Sequence, residues 1–151
     1  SLRGRATWMY SAALHQKCLE AFELGKAVTL DLTLCDQLDS TLLGTIHEPA
    51  TRGAEAKLEF RLQGVTPRVQ ELFAELGMTC ILDHMVPITL PLPTHMSALA
   101  SVDADAHTRW IRILRAHESL ASLNERNRLE FDPLLQMLRK EVEALPPTRN
   151  R

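Results

Sequence analysis

The stretch VTLDLTLCDQLDSTLLG, residues 28–44, decides the fold that this sequence predicts. Four of its first five residues are apolar or β-branched, as is typical of a buried strand, and Thr33–Leu38 is then predicted to be a loop. Asp39 follows, and its carboxylate suits the position before a helix because it accepts hydrogen bonds from the free amides of the first turn. We therefore expect a helix from about Ser40 to Arg52, with Gly53 at its end.

The rest of the first hundred residues alternates between strand and helix patterns. Apolar residues recur at helical spacing from Tyr10 to Leu24, and Thr66-Pro67 predicts another helix start because proline suits the first helical position. Alternation of this kind predicts an α/β fold, with helices packed on a central mixed sheet of about four strands. The strands are expected at Leu2–Thr7, 27–32 and Lys57–Leu62, with at most an edge strand within Val86–Leu92.

The last third of the chain is predicted to be helical. From Ala104 to Leu145 the apolar residues keep a helical spacing, and Pro133 is expected to break or restart the helix, with Asp132 as the cap of the last one. The apolar stripe of these helices has to be buried, either on the open face of the sheet or against a second copy of the chain. A basic line, of a kind that usually faces solvent, lies near the start of this region: Arg109, Arg112 and Arg115.

Composition and charge exclude several classes of function. The 151 residues carry 17 basic and 19 acidic side chains, a net charge of −2 that offers no broad attraction to nucleic acid or to an anionic membrane. The sequence has no run of about 18 apolar residues, so no membrane insertion is expected. Its three cysteines form no C-x-x-C pair and its histidines lack metal-ligand spacing, so we expect a cytoplasmic protein with no metal and no cofactor.

Ser40 and His47 are the residues considered for an enzymatic function. These residues are seven positions apart on roughly one face of the predicted helix, whereas a hydrolase needs its serine and histidine in contact. The sequence contains neither the G-x-S-x-G turn of many hydrolases nor the phosphate-binding G-x-x-x-x-G-K-[ST] loop. It therefore predicts a binding protein and not an enzyme.

From Gly4 to about Leu92 the chain resembles the STAS family, the domain of anti-sigma factor antagonists. The resemblance rests on an ordered set of motifs, which are Gly4-Arg5, the strand VTLDL, the segment LDSTLLG and the later GVTPRV. LDSTLLG is similar to the family signature Asp-Ser-(Ser/Thr)-Gly-Leu-Gly, with Leu42 where the signature has its first glycine. The resemblance implies a STAS-like domain over residues 1–100, and a C-terminal helical extension over 101–151 that is packed on the core or used for dimerisation.

The resemblance also implies a phosphorylation switch. In STAS antagonists a partner kinase phosphorylates the second hydroxyl of the signature, which by position is Thr41, with Ser40 beside it. The unmodified domain would bind an anti-sigma factor with a histidine-kinase-like ATPase fold, and thereby regulate transcription until phosphorylation ends the binding and a phosphatase resets it. A phosphate at a helix N-terminus leaves the domain folded, because the free amides favour its charge. The implied partner surface is Asp39, Ser40, Thr41, Leu42 and Leu43.

A second role is consistent with the same resemblance. STAS-like domains also serve as accessory subunits in lipid transport and as cytoplasmic parts of anion transporters. In that role the helix that begins at Ser40 would dock on the ATPase subunit without being phosphorylated. A second copy of the chain, bound through the C-terminal helices in a homodimer, is the remaining possible partner.

Overall fold

The computed structural model describes residues 1–88 and 106–145, which form five strands and six α-helices. The strands are β1 (Arg3–Ala6), β2 (Val28–Asp31), β3 (Leu34–Leu38), β4 (Phe60–Gln63) and β5 (Met85–Val86). The helices are α1 (Ser11–Glu23), α2 (Ser40–Glu55), α3 (Pro67–Glu75), α4 (Thr79–Leu82), α5 (Ala106–Ala121) and α6 (Glu125–Ala144). A 3-10 turn over Trp8–Tyr10 leads from β1 into α1.

The expected fold class is confirmed, while the sheet differs in detail from the single mixed sheet that was expected. Within the described residues β1 pairs with β3, and β4 lies between β2 and β5. All three pairings are parallel. The connectivity agrees with this, because a helix lies between the two strands of every pair: α1 between β1 and β3, α2 between β2 and β4, and α3 and α4 between β4 and β5.

The loop predicted over Thr33–Leu38 is wrong, because most of it is β3. Asp31 marks the bend between β2 and β3, where its Oδ1 accepts hydrogen bonds from the amide of Thr33 at 3.1 Å and from its hydroxyl at 2.5 Å. The amide of Leu2 donates to the carbonyl of Asp31, and the amide of Leu32 donates to that of Gln63. The two small sheets therefore meet at this bend, and together they present one surface to the helices.

The core lies between this surface and the helices. Its largest fully buried side chains come from every layer, and α2 contributes Leu42 and Ile46, both with no exposed area. From the C-terminal region, α5 contributes Leu120, which is likewise fully buried. The remaining large members are Leu32, Leu62, Val69, Phe73, Met78 and Ile81.

Two predicted helix boundaries are corrected. Helix α2 does not end at Gly53 but continues to Glu55. Gly53 is buried, and a Cβ there would lie 3.1 Å from the carbonyl oxygen of Leu58, so this glycine leaves room for the returning chain and does not end the helix. The chain leaves the helix at Lys57 instead, which has a positive φ of 56°. The strand predicted from Lys57 accordingly starts later, at Phe60.

The break predicted at Pro133 is also wrong. Helix α6 runs through this residue and is capped by Asn124, whose side chain accepts a hydrogen bond from the amide of Asn127 at 2.8 Å, so Asp132 is not a cap. Pro133 has no amide proton, so the carbonyl of Leu129 loses its usual helical donor. Both residues are exposed, so water can donate a hydrogen bond to that carbonyl instead. The boundary expected at residue 100, the helix start expected at Ala104 and most of the Val86–Leu92 segment lie outside the described residues.

Gly64 gives a stability test of the bend at Thr33. It has a φ of +67°, and a Cβ at this position would lie 2.6 Å from the Cα of Thr33 and 2.7 Å from its amide nitrogen. Gly64→Ala should therefore lower the free energy of unfolding by about 3 kcal/mol, through backbone strain and overpacking together. Gly25→Ala is the matched control, because Gly25 has a similar φ of +66° and open space around it, and it should cost only about 1 kcal/mol. Equal losses in urea unfolding would contradict this account.

Candidate partner-binding site

Asp39 is the N-cap of α2, as predicted, and it also holds a second segment of the chain. Its Oδ1 accepts a hydrogen bond from the amide of Leu42 at 2.8 Å. Its Oδ2 accepts one from the amide of Trp8 at 2.6 Å, 31 residues away. The amide of Asp39 itself donates to the carbonyl of Ala6. One carboxylate therefore fixes the start of α2 and the end of β1 against each other.

The segment that Asp39 holds presents large side chains to solvent. Trp8 is 40%, Met9 54% and Tyr10 36% exposed, and the hydroxyl of Ser11 donates to the carbonyl of Trp8 within the same turn. A cleft of about 240 Å³ lies nearby, and is lined by Arg5, Ala6, Thr7, Gln37, Leu38, Asp39, Arg68 and Leu72. Neighbouring exposed side chains of this kind mark interaction surfaces more often than scattered ones do. The sequence interpretation overlooked this segment, although its consecutive Trp, Met and Tyr were visible.

The two hydroxyls of the predicted phosphorylation site are both covered. Thr41 is only 6% exposed. Ser40 is half-buried, and its Oγ lies 3.0 Å from Nε2 of His117 on α5. Nδ1 of His117 lies 2.9 Å from the carbonyl of Ile113, which can only accept, so Nδ1 carries the proton. In the neutral ring Nε2 is then the acceptor, and the Ser40 hydroxyl donates to it.

Two other residues of the predicted partner surface lie in the core. Leu42 has no exposed area and Leu43 is 3% exposed. Leu42, which stands where the STAS signature has a glycine, therefore packs inward. Contact of these two leucines with a partner stays a prediction, while Asp39 and Ser40 are the members of the set that retain part of their surface.

Helix α5 lies directly against α2. A Cβ built on Gly44 would overlap the backbone of Ala116, at 2.6 Å from its carbonyl carbon and 2.9 Å from its Cα. One turn further along, Nδ1 of His47 lies 2.7 Å from the hydroxyl of Ser119. Burial lowers the pKa of His47, and the nearby Glu48 carboxylate opposes this. The close approach of the two helices is thus possible because residue 44 is glycine.

An ion cluster joins three helices at Glu48. Its Oε2 lies 2.5 Å from the guanidinium of Arg112 on α5, and its Oε1 lies 3.0 Å from Nε2 of His15 on α1. The hydrogen bond with His15 and the interactions with Arg112 lower the pKa of Glu48 to about 2, against the opposing effect of burial. Arg112 is only 6% exposed, so for this residue the predicted solvated basic line is wrong. Arg109 and Arg115 are exposed, as predicted.

The serine–histidine contacts differ from those of a hydrolase. Ser40 contacts His117, and His47 contacts Ser119, so Ser40 and His47 do not form the pair that the sequence put forward for comparison. His117 is oriented by a backbone carbonyl and not by a carboxylate, and the Leu42 amide at the helix start already donates to Asp39. In this arrangement the two serine–histidine contacts link α2 to α5 and resemble no catalytic triad.

Within residues 1–88 and 106–145, no three His, Cys, Asp or Glu side chains come together in a way that could hold a metal ion. In the same ranges, no helix combines the length and the apolar character needed to cross a bilayer.

Comparison with known families gives one match. The family model described as Mlab, STAS domain, matches residues 1–87, which is more than half of the chain and ends before α5. Proteins of curated function and solved structures give no significant match.

The Glu48 cluster predicts a specific dependence of stability on pH. Because the folded pKa of Glu48 is lowered from 4.5 to about 2, its stabilisation is present above pH 4.5 and is lost as the pH falls towards 2. When the pH falls from 6 to 3, the free energy of unfolding of the wild type should decrease by about 1–2 kcal/mol more than that of Glu48→Gln. This magnitude allows for solvent screening of a partly exposed side chain. Urea unfolding at both pH values measures this difference. Identical pH profiles would refute the ion cluster.

Proposed function

Because the chain belongs to the STAS domain family, whose members are generally non-catalytic, we propose that it is a partner-binding protein and not an enzyme. Its docking surface is centred on the start of α2 and on the turn over Trp8–Tyr10. The observation that carries this proposal is the hydrogen bond from the Trp8 amide to Asp39, which places three exposed large side chains beside the first turn of α2. Tryptophan, tyrosine and methionine are enriched in protein interfaces, where each buries a large apolar area.

Of the two roles that the family suggests, the geometry favours docking that does not depend on phosphorylation. Thr41, the hydroxyl indicated by the signature, faces the interior and is 6% exposed. The hydroxyl of Ser40 is hydrogen-bonded to Nε2 of His117, a residue that is itself only 4% exposed. A kinase would have to break the contact of Ser40 with α5 to reach that oxygen, and the Thr41 side chain is buried, whereas the turn over Trp8–Tyr10 is exposed. The proposed role is therefore that of an accessory subunit that docks on the ATPase of a transporter.

The anti-sigma factor antagonist is the second candidate, and one observation favours it. Asp39, Ser40 and Thr41 form the beginning of a capped helix, where the amides and the helix dipole stabilise added negative charge. In this role the partner is an anti-sigma factor with a histidine-kinase-like ATPase fold, and a phosphatase reverses the modification. Ser40, with more exposed surface than Thr41, is then the hydroxyl that a kinase reaches first once α5 has moved.

The docking surface is tested by removing its two most exposed side chains. Trp8→Ala combined with Met9→Ala should raise the Kd for a candidate ATPase subunit at least tenfold, because the anchors of an interface carry most of its energy. Binding is measured by titration calorimetry with the purified candidate ATPase subunit. Leu24→Ala is the control, since Leu24 is 68% exposed at the opposite end of α1 and should bind as the wild type does. An unchanged Kd for the double variant would place docking elsewhere.

Phosphorylation separates the two candidate roles. The full chain is incubated with ATP and with a candidate anti-sigma factor kinase, and the LDSTLLG peptide is examined by mass spectrometry. The accessory role predicts no phosphate on Ser40 or Thr41, because both hydroxyls are covered, and it predicts ATPase binding without ATP-dependent modification. Stoichiometric phosphate on either hydroxyl, together with loss of kinase binding by Thr41→Glu, would instead establish the antagonist role.

A further inference from the structure

Helix α5 packs against one face of α2. This face, called the covered face below, consists of Ser40, Gly44, His47 and Glu48, which share one side of the helix because they are three or four residues apart. Each meets its own counterpart on α5: His117, the Ala116 backbone, Ser119 and Arg112, respectively.

The contacts on the covered face are of a different kind from those on the opposite side of α2. Leu42, Leu43 and Ile46 pack into the apolar core. The covered face makes hydrogen bonds, one ion pair and one close backbone approach, and Leu120 is the residue of α5 that reaches the core cluster. Interfaces of this polar kind resemble those between separable domains, where relative motion is the default expectation.

Helices α5 and α6, together called the C-terminal pair, also hold each other. Leu135 and Leu138 of α6 are buried, and the ring of Phe131 meets that of His117 edge-on with centroids 5.5 Å apart. At the corner between the helices, the side-chain amide of Asn127 donates to the carbonyls of Leu120 and Leu76. The pair therefore has packing of its own, and it is attached to the rest of the domain by Leu120 in the core and by the polar contacts of the covered face.

The C-terminal pair lies beyond the part of the chain that the family model matches, which ends at residue 87. Without the pair, the covered face would present a small residue at the centre of a polar stripe, with a carboxylate at one end. This is the surface of a helix prepared for close approach by another helix. In this chain the other helix is supplied internally.

We propose that the C-terminal pair is a displaceable cover over the covered face of α2, and that a partner helix can replace it there. That partner helix carries the chemistry of α5. Such a helix presents a small residue to Gly44 and a cation to Glu48, because a larger residue meets the α2 backbone and an anion meets the carboxylate. The identity of the partner in this proposal rests on the function proposed above, whereas the movement of the cover does not depend on that function. While the cover is closed, Ser40 is held by His117, so partner binding at Ser40 and docking of the cover exclude each other.

Native-state hydrogen exchange of the unmodified full chain tests the movement. A displaceable cover opens without unfolding the sheet, so the backbone amides of α5 and α6 should exchange at least tenfold faster than those of β2 and β4. Exchange of all four elements at one common rate would show that the cover leaves only on global unfolding, and would overturn the proposal.

Two matched substitutions test which contact holds the cover. Gly44→Ala adds one methyl group against Ala116 and suits α2 itself, so it should accelerate exchange in α5 and α6 at least tenfold further while β2 and β4 stay unchanged. Gly53→Ala makes the same change in the same helix, but there the nearest atoms are the carbonyl of Leu58 at 3.1 Å and the ring of Phe22 at 3.3 Å, and none belongs to α5. If both variants accelerate α5 and α6 equally, the Gly44 contact does not hold the cover.

The chemistry of the partner is tested with a labelled peptide spanning residues 106–145. It should bind the full-length Ala116→Glu variant, whose own cover cannot close on Gly44, at least tenfold more tightly than it binds the wild type. The same peptide with Arg112→Glu should lose this binding. If the Ala116→Glu chain shows fast exchange in α5 and α6 but does not bind the peptide, the assigned partner chemistry is wrong. None of these experiments involves Trp8 or Met9, so failure here is distinguishable from failure of the proposed docking surface.

Discussion

The carboxylate of Asp39 is the constraint on which the functional end of this molecule depends. It caps α2 through the amide of Leu42 and holds the turn after β1 through the amide of Trp8. Both amides would otherwise lack a partner at the end of their elements, and a charged acceptor forms stronger hydrogen bonds than a neutral one. The position of the Trp8–Tyr10 turn beside the first turn of α2 therefore depends on one side chain.

Helix α2 serves two surfaces with different chemistry. Its apolar residues face the sheet and anchor the helix in the core. Its covered face carries small, polar and charged residues that α5 meets one by one. Because the apolar side anchors α2 independently of α5, the covered face is suited to exchange one helical neighbour for another.

The sequence located most elements, since hydrophobic periodicity, the Asp39 cap and Thr66-Pro67 are local signals. Its errors have identifiable physical causes. Residues 34–38 form a strand because β1 pairs with them, and that pairing has no local signature beyond a short polar and apolar alternation. Gly53 and Pro133 do not end their helices: one is packed against the Leu58 carbonyl, and the other lies where water can reach the carbonyl left free. Glycine and proline make it energetically unfavourable to continue a helix, but the tertiary contacts and solvent around the residue decide whether the helix continues.

By itself the sequence determined the STAS family, the α/β class and the start of α2 at Asp39, because these depend on motifs and spacings within short stretches of chain. Only the tertiary structure decided the state of the site. It placed Thr41 and Leu42 inward, paired Ser40 with His117 across 77 residues, and buried Arg112 against Glu48 across 64. Contacts between distant residues depend on how α5 returns to α2, and the amphipathic pattern of α5 states only that one face must be covered, not what covers it.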